Sequence, residues 1–336
     1  MICILHGYLL EGSGSNLWTR SVVESLCRQG ETVHLMAQEN HPERYPFITE
    51  GRRYLPDGEV ESFYRRAEDG QPGCCILHTP ALGDTLPVYV WDRYEEFTRV
   101  VPMVDLPDDE IEEYVDRNVR ALTRIVRENG ITAIHANHAV LMSVVAQRVS
   151  ASEGIPFSIM PHGSALEYAV KRDERFLRLA TEAFTAAGLI FVHGDEMRAR
   201  VRAVFGGVPG LEEKMVDLHL GVDTSQFEPV ERAGRPGSIA RLEAALAGLP
   251  RGRTRAQTEG MRARLRGGMD TEALLGAFAP AREFDGKTPD AELETRLDGV
   301  NWESDPTLLY VGRLISTKGI QGIVAALPLL LERRPD

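Results

Sequence analysis

Ile2-Cys3-Ile4-Leu5-His6-Gly7, then Glu11-Gly12-Ser13-Gly14-Ser15-Asn16, then Thr32-Val33-His34-Leu35-Met36-Ala37: these three stretches decide how the chain begins to fold. The first is apolar up to His6 and stops at a glycine, the pattern of a strand buried on both faces of a parallel sheet. After the second, Trp18, Val22 and Leu26 recur every four residues with Val23 and Cys27 beside them, and Gly30 closes the run. Strand, glycine loop, helix and strand make a βαβ unit of the doubly wound kind. Glycine lets backbone approach a ligand closely. Gly12, Gly14, Ser15 and Asn16 are therefore candidate ligand contacts. The loop lacks the third glycine of a dinucleotide fingerprint and the Lys-Ser/Thr ending of a P-loop, so it does not name its ligand.

Outward from that unit the alternation continues. Cys74 to His78 is the next strand. Asp108 to Asn129 has helical spacing through Ile111, Tyr114, Val115, Val119, Leu122, Ile125 and Val126, with Gly130 as its stop. Thr132–His135 is extended, and a small-residue helix opens at Ala136-Asn137-His138-Ala139. Phe157–Met160 and Leu189–His193 are strands, Phe176–Ala187 and Asp195–Phe205 helices, and Lys214–Asp223 a last strand and turn. The fold class is α/β: a doubly wound, Rossmann-like parallel sheet over residues 1–228. Residues 38–73, polar and rich in Pro, Gly, Glu and Arg, read as a long surface excursion with little regular structure.

Composition then changes. From Arg232 to Arg266 there are nine arginines and no lysine, interrupted by Gly234, Pro236, Gly248, Pro250 and Gly252. Residues 229–306 read as an Arg-rich, mainly helical insertion or linker. Its charge suits a solvated face, the commoner outcome, or an acidic partner, an anionic lipid surface or the protein's own acidic body. Beyond it, Leu308-Leu309-Tyr310-Val311-Gly312-Arg313-Leu314-Ile315-Ser316-Thr317-Lys318-Gly319 runs on into an Ala/Leu-rich helix, and residues 307–336 read as the first strand and helix of a second domain. An Arg and a Lys five residues apart at a βα turn suit a phosphate or pyrophosphate.

The 336 residues are 43% hydrophobic and 26% charged, with a formal net charge of −12. That balance fits an ordinary globular chain and disfavours a non-specific nucleic-acid binder. Cys3, Cys27, Cys74 and Cys75 contain no C-x-x-C pair and read as reduced residues of a cytosolic protein. No secretory signal opens the chain, and no apolar run approaches the roughly 18 to 20 residues of a spanning helix. The expectation is a cytoplasmic protein, with contact at a membrane surface left open.

Among single residues, His162 in Pro161-His162-Gly163-Ser164 is the strongest catalytic candidate. It stands at the carboxyl end of a parallel strand, where open α/β sheets place ligands. His135 and His138 are three apart, but without a nearby Cys or carboxylate they do not complete a metal set. Asn137 and His138 remain ligand-side candidates. Asp92-Arg93-Tyr94-Glu95-Glu96-Phe97 puts charges beside aromatics, which suits a sugar or polyol and equally an amphipathic surface.

On four stretches the chain resembles the nucleotide-sugar-dependent retaining glycosyltransferases of family 4, which have the GT-B architecture. Gly12-Ser13-Gly14-Ser15 stands where that family has its N-terminal glycine loop, and Pro161-His162-Gly163 matches its strand-end histidine. Leu220-Gly221-Val222-Asp223, followed by Phe227-Glu228-Pro229, matches its Asn-Gly-Val-Asp segment, with Leu220 in place of Asn. Val311-Gly312-Arg313-Leu314 with Lys318-Gly319 matches the opening of its donor domain.

The resemblance implies that Arg313 and Lys318 grip the donor diphosphate, with Gly14 and Ser15 bringing backbone to phosphate or acceptor, and that His162 faces the donor sugar. On the acceptor side the candidates are Gly12, Asn16, Asp92, Arg93, Asn137 and His138. It implies no metal and no cofactor beyond the nucleotide-sugar donor substrate, with a carbohydrate, lipid or small molecule as acceptor. The family's two glutamates, seven residues apart in the donor domain, are not in this sequence, so the expectation is a truncated second Rossmann-like domain and an inactive fragment of a longer enzyme. A nucleotide-sugar epimerase or a phosphorylase on the same architecture, and a non-catalytic nucleotide or carbohydrate binder, are the alternatives. Donor base, sugar, acceptor and oligomeric state are not encoded in these patterns.

Overall fold

The computed structural model describes residues 1–67, 72–90, 94, 96–225, 227–284, 288–312 and 318–333. The chain divides into two compact units, Met1–Gly221 and Val222–Asp336.

Among the described residues the first unit has eleven strands: β1 (Ile2–Leu5), β2 (Thr32–Met36), β3 (Ile48–Tyr54), β4 (Val60–Arg65), β5 (Cys74–Pro80), β6 (Thr85–Val88), β7 (Arg99–Pro102), β8 (Ala133–Asn137), β9 (Phe157–Met160), β10 (Leu189–Val192) and β11 (Met215–Asp217). Nine form one sheet in the order β11-β10-β9-β8-β1-β2-β5-β3-β4, while β6 and β7 pair separately. Every pairing in the large sheet is parallel except β3 with β4. This is the expected doubly wound α/β class.

Period-two alternation explains the two cores. In β1, Cys3 and Leu5 enter one buried cluster and Ile4 the other, so both faces are apolar. Helix α1 (Gly14–Arg28) covers one face through Val23 and Cys27, with Ser13 as its N-cap. Helix α2 (Asp108–Asn129) covers the other through Ile111, Tyr114, Val115, Leu122 and Ile125. Asp108, Asp109 and Glu110 complement the helix dipole at its start, and Gly130 ends it at φ 62°. Helices α3 (Met142–Glu153), α4 (Gly163–Ala165, running into a π-turn), α5 (Glu174–Ala186), α6 (Gly194–Phe205) and α7 (Leu211–Lys214) complete the unit. Phe184 of α5 stacks on Phe205 of α6 with ring centroids 4.0 Å apart.

Two expectations are corrected in this unit. Residues 38–73 contain β3 and β4, a hairpin that joins the main sheet against β5. Their polarity concealed them, because an edge hairpin needs apolar residues on one face only. The helix expected to open at Ala136 begins instead at Met142, since Ala136 and Asn137 still belong to β8 and His138 leaves the strand at φ 74°.

The second unit contains α8 (Arg235–Leu246), α9 (Arg255–Arg262), α10 (Thr271–Phe278), α11 (Leu293–Asp298) and α12 (Ile320–Arg333). Pro236 does not break a helix but starts one, in the first turn of α8 where its missing N–H costs nothing. Thr254 and Gln257 form a capping box on α9. The strand expected at 308–312 is not formed: the segment is irregular, Leu309 is 85% exposed, and Leu308 and Val311 are also exposed. A lone strand has no ladder partner and no faces to bury, which removes the reason for extended pairing.

Candidate functional site

The sheet changes winding direction at β1: β2, β5 and β3 lie on one side, β8, β9, β10 and β11 on the other. The crevice at the carboxyl ends of β1 and β8 is therefore the topological switch point, where such sheets place ligands. His6 follows β1, Asn137 ends β8 and His162 follows β9. Helix α1 brings Asn16, Trp18 and Thr19 over the same place.

One hydrogen-bonded chain joins these residues. His6 Nε2 meets Asn16 Oδ1 at 3.1 Å, and His6 Nδ1 meets Thr19 Oγ1 at 3.1 Å. Asn137 Nδ2 donates to Thr19 Oγ1 at 3.1 Å, and Asn137 Oδ1 faces His162 Nε2 at 3.2 Å. The proton positions follow in sequence. Asn16 Oδ1 can only accept, so His6 carries its proton on Nε2, while the single Thr19 hydroxyl proton is shared between His6 Nδ1 at 3.1 Å and the Ser15 carbonyl at 2.9 Å. Thr19 then accepts from Asn137, whose carbonyl oxygen accepts Nε2–H of His162. His162 is thus a neutral imidazole with its proton on Nε2 and its lone pair on Nδ1.

Burial enforces that neutrality. It lowers the pKa of His6 and of His135 to about 4. His162 falls to about 3, through burial first and then through His6, His193 and His135. Trp18 packs edge-on to His162 with centroids 5.7 Å apart.

The glycine loop is held from both sides. Asn16 is buried, and its Nδ2 donates to the Glu11 carbonyl while Ser13 Oγ donates to its Oδ1 at 2.7 Å. Asn16 is thus committed to the protein and shapes the loop. Glu39, buried just past β2, accepts from Leu10 N at 3.1 Å, from His41 N at 2.8 Å and from the Tyr45 hydroxyl at 3.2 Å. Gly12 adopts φ 97°, and a Cβ at Gly12 or Gly14 would meet no atom of the described residues beyond its own stretch of chain within 4 Å. Ser15 Oγ lies 3.0 Å from Ser13 Oγ.

The structure therefore brings Asn16, Asn137, His138 and His162 together beside Gly12, Gly14 and Ser15. Asp92, Arg93 and Arg313 lie outside the described residues. Lys318 is exposed in the second unit, just before α12. Sequence reading missed His6, Thr19, Tyr8, Tyr89 and Glu39. His6 had the same signal as His162, a histidine directly after an apolar strand; Thr19 shows itself only as one turn of helix beyond Ser15.

Among the described residues no group of three or more His, Cys, Asp or Glu is placed to hold a metal ion, and no helix is long and apolar enough to cross a membrane. Cys3, Cys27, Cys74 and Cys75 are free thiols. A cleft of about 260 Å³ lies elsewhere in the first unit, lined by Leu82, Arg99, Glu110, Tyr114 and Arg117 among others.

Residues 74–226, from β5 to just past β11, match the family model described as Glycosyltransferase Family 4. The matched segment includes Asn137, His138 and His162, and it bears out the resemblance read from the sequence. No curated protein matches the chain. Similar solved structures include sucrose-phosphate synthase from Thermosynechococcus elongatus, at 15% identity over 71% of this chain and 52% of that one, with a TM-score of 0.40. UDP-N-acetylglucosamine 2-epimerase from Rickettsia bellii aligns at 11% identity over 89% and 64%, with a TM-score of 0.35. LpCGTa in complex with UDP aligns at 12% identity over 88% and 72%, with a TM-score of 0.36. The chain spans about half the length of the synthase.

Proposed function

We propose that this chain supplies the acceptor-side domain of a retaining glycosyltransferase, which moves a sugar from a nucleotide-diphosphate donor to an acceptor hydroxyl. The observation that carries the reading is the relay from Asn16 through His6, Thr19 and Asn137 to His162, set at the switch point inside a segment matching Glycosyltransferase Family 4. A neutral His162 with its proton fixed on Nε2 presents a lone pair at Nδ1. That suits accepting a hydrogen bond from a sugar hydroxyl and does not suit pairing with phosphate.

Phosphate binding falls in this proposal to other groups. The start of α1, with Gly14 and Ser15, offers backbone N–H donors, while Arg313 and Lys318 neutralise the leaving diphosphate without a metal. Retention at the anomeric carbon, the nucleotide-sugar donor and a cytoplasmic setting are parts of the same proposal and rest on the family resemblance.

The test is nucleotide release from a panel of nucleotide sugars by the full-length protein, with and without acceptors. Turnover of one donor is expected, with His162→Ala slowing it by roughly 10²-fold. Absence of turnover across the panel, or an unchanged rate in the variant, would sink the proposal.

A further inference from the structure

Arg117, Arg120 and Arg124 stand at spacings of three and four on α2, which puts them on one face of the helix, and all three line a cavity of about 170 Å³. The facing wall is the turn between β3 and β4, and Tyr54, Pro80, Ala81 and Ala121 line the space between. The outer two arginines clasp the walls together. Arg117 donates to the Ala81 carbonyl at 3.3 Å and to Glu113, while Arg124 donates to the Gly58 carbonyl and, at 2.6 Å, to Glu128. Arg120, between them, has no hydrogen bond or ion pair among the described residues. On the opposite wall the Glu59 carboxylate is also without a partner among the described residues, and Asp57 uses only Oδ1, which accepts from Glu59 N at 2.9 Å. The cavity thus has an unspent cation on one wall and an unspent anion on the other, which do not pair with each other.

We infer that this cavity is a binding site for a free α-amino acid with an apolar side chain, its carboxylate on Arg120, its ammonium on Glu59 and Asp57, and its side chain against Tyr54 and Ala121. The inference is independent of the proposed function. Three observations select that chemistry. A simple anion would face Glu59 and Asp57, and a simple cation would face Arg120, whereas a zwitterion answers both walls; the guanidinium fork also matches a carboxylate in geometry. Tyr54 and Ala121 are buried, 6% and 4% exposed, and give an apolar side chain a surface that sheds water. The volume lies below the roughly 300–1,000 Å³ of sites for larger ligands, which selects a molecule of amino-acid size over a nucleotide. The cavity is also separate from the switch point, since β5 and β3 stand two and three strands from β1 in the sheet.

The experiment is calorimetric titration of the whole chain with L-leucine, with L-leucinamide, which lacks the carboxylate, with 4-methylpentanoate, which lacks the ammonium, and with glycine, which lacks the side chain. Leucine should bind saturably and each of the other three about tenfold more weakly or worse. Arg120 and Glu59 are both exposed, so Arg120→Gln and Glu59→Gln should fold as the parent does, with thermal unfolding as the check. Each should weaken leucine about tenfold, and the losses should cross: Arg120→Gln should erase the advantage of leucine over leucinamide, and Glu59→Gln its advantage over 4-methylpentanoate. That crossed pattern assigns each end of the ligand to its wall. No saturable heat from leucine overturns the inference. So does 4-methylpentanoate or leucinamide binding as tightly as leucine, which would make the cavity a site for a single charge, and so does leucine binding the parent and both variants alike, which would place it elsewhere.

Discussion

Replacing His6 by Gln should flatten the acid side of the stability curve by about 2 kcal/mol between pH 7 and pH 5. His6 is fully buried, and burial lowers its pKa from the ordinary 6.5 to about 4. The sign follows from where the proton goes. The unfolded chain takes it up as pH falls through about 6.5, while the native chain refuses it until about pH 4. Stability from the neutral ring is therefore complete above pH 6.5, declines through the interval, and is gone below pH 4. At pH 5 most unfolded chains carry the proton and few native ones do, and at 1.36 kcal/mol per pKa unit the linkage comes to about 2 kcal/mol. Gln keeps a donor toward Asn16 but loses the acceptor for Thr19, so the variant should start lower at pH 7 and then fall less. Urea unfolding of both proteins at pH 7, 6 and 5 measures the difference in slope. Parallel pH dependences would refute the reasoning, because they would mean that His6 titrates alike folded and unfolded.

Thr19→Val preserves shape but leaves His6 Nδ1 and Asn137 Nδ2 without partners; we expect a loss of about 1–3 kcal/mol by chemical denaturation, and mixed His162 tautomers by ¹⁵N spectroscopy. Gly73→Ala should cost about 3 kcal/mol or prevent folding, read by thermal denaturation, because a Cβ there would lie 2.6 Å from the Cys27 carbonyl oxygen and closer still to that of Glu31. Phe184→Ala, which empties one half of the buried stack with Phe205, should lower stability by about 3–5 kcal/mol in the same assay. Tyr54→Phe removes the hydroxyl 2.8 Å from His78 Nδ1 and should cost about 1–3 kcal/mol by urea unfolding, with the spectrum of the folded state unchanged.

The parallel core was legible because a strand buried on both faces is largely apolar, so Ile2–Leu5 and Leu189–Val192 stand out as short unbroken runs and Phe157–Met160 as one interrupted by Ser158 alone. The same logic hid β3, whose Glu50, Arg52 and Arg53 read as loop; Arg52 in fact donates to the Glu50 carboxylate at 2.7 Å and to Asn129 at 3.2 Å. It also misled at 308–312, where an apolar run has no neighbouring strand to join among the described residues. Within the site, His162 could be found from position alone, since a residue after a parallel strand lies at the sheet's carboxyl edge. Its protonation could not, because that depends on Thr19 and Asn137, 118 residues apart in the chain and 3.1 Å apart in space. His138 is a candidate by its neighbourhood; its left-handed backbone and its nitrogens, unpaired among the described residues, have no sequence signature.

The large sheet has two open margins, and each disposes of the hazard in a different way. At one, β11 has three residues, two of them exposed, and Asp217 is bound by Arg198 at 2.9 Å. At the other, β4 carries Glu61, Ser62 and Arg65 outward, all exposed. Neither margin offers a long, flat, uncharged row of free amide groups to a second molecule. The first unit should consequently resist strand-by-strand polymerisation, even though a nine-stranded sheet with so many apolar strands would otherwise be a template for it.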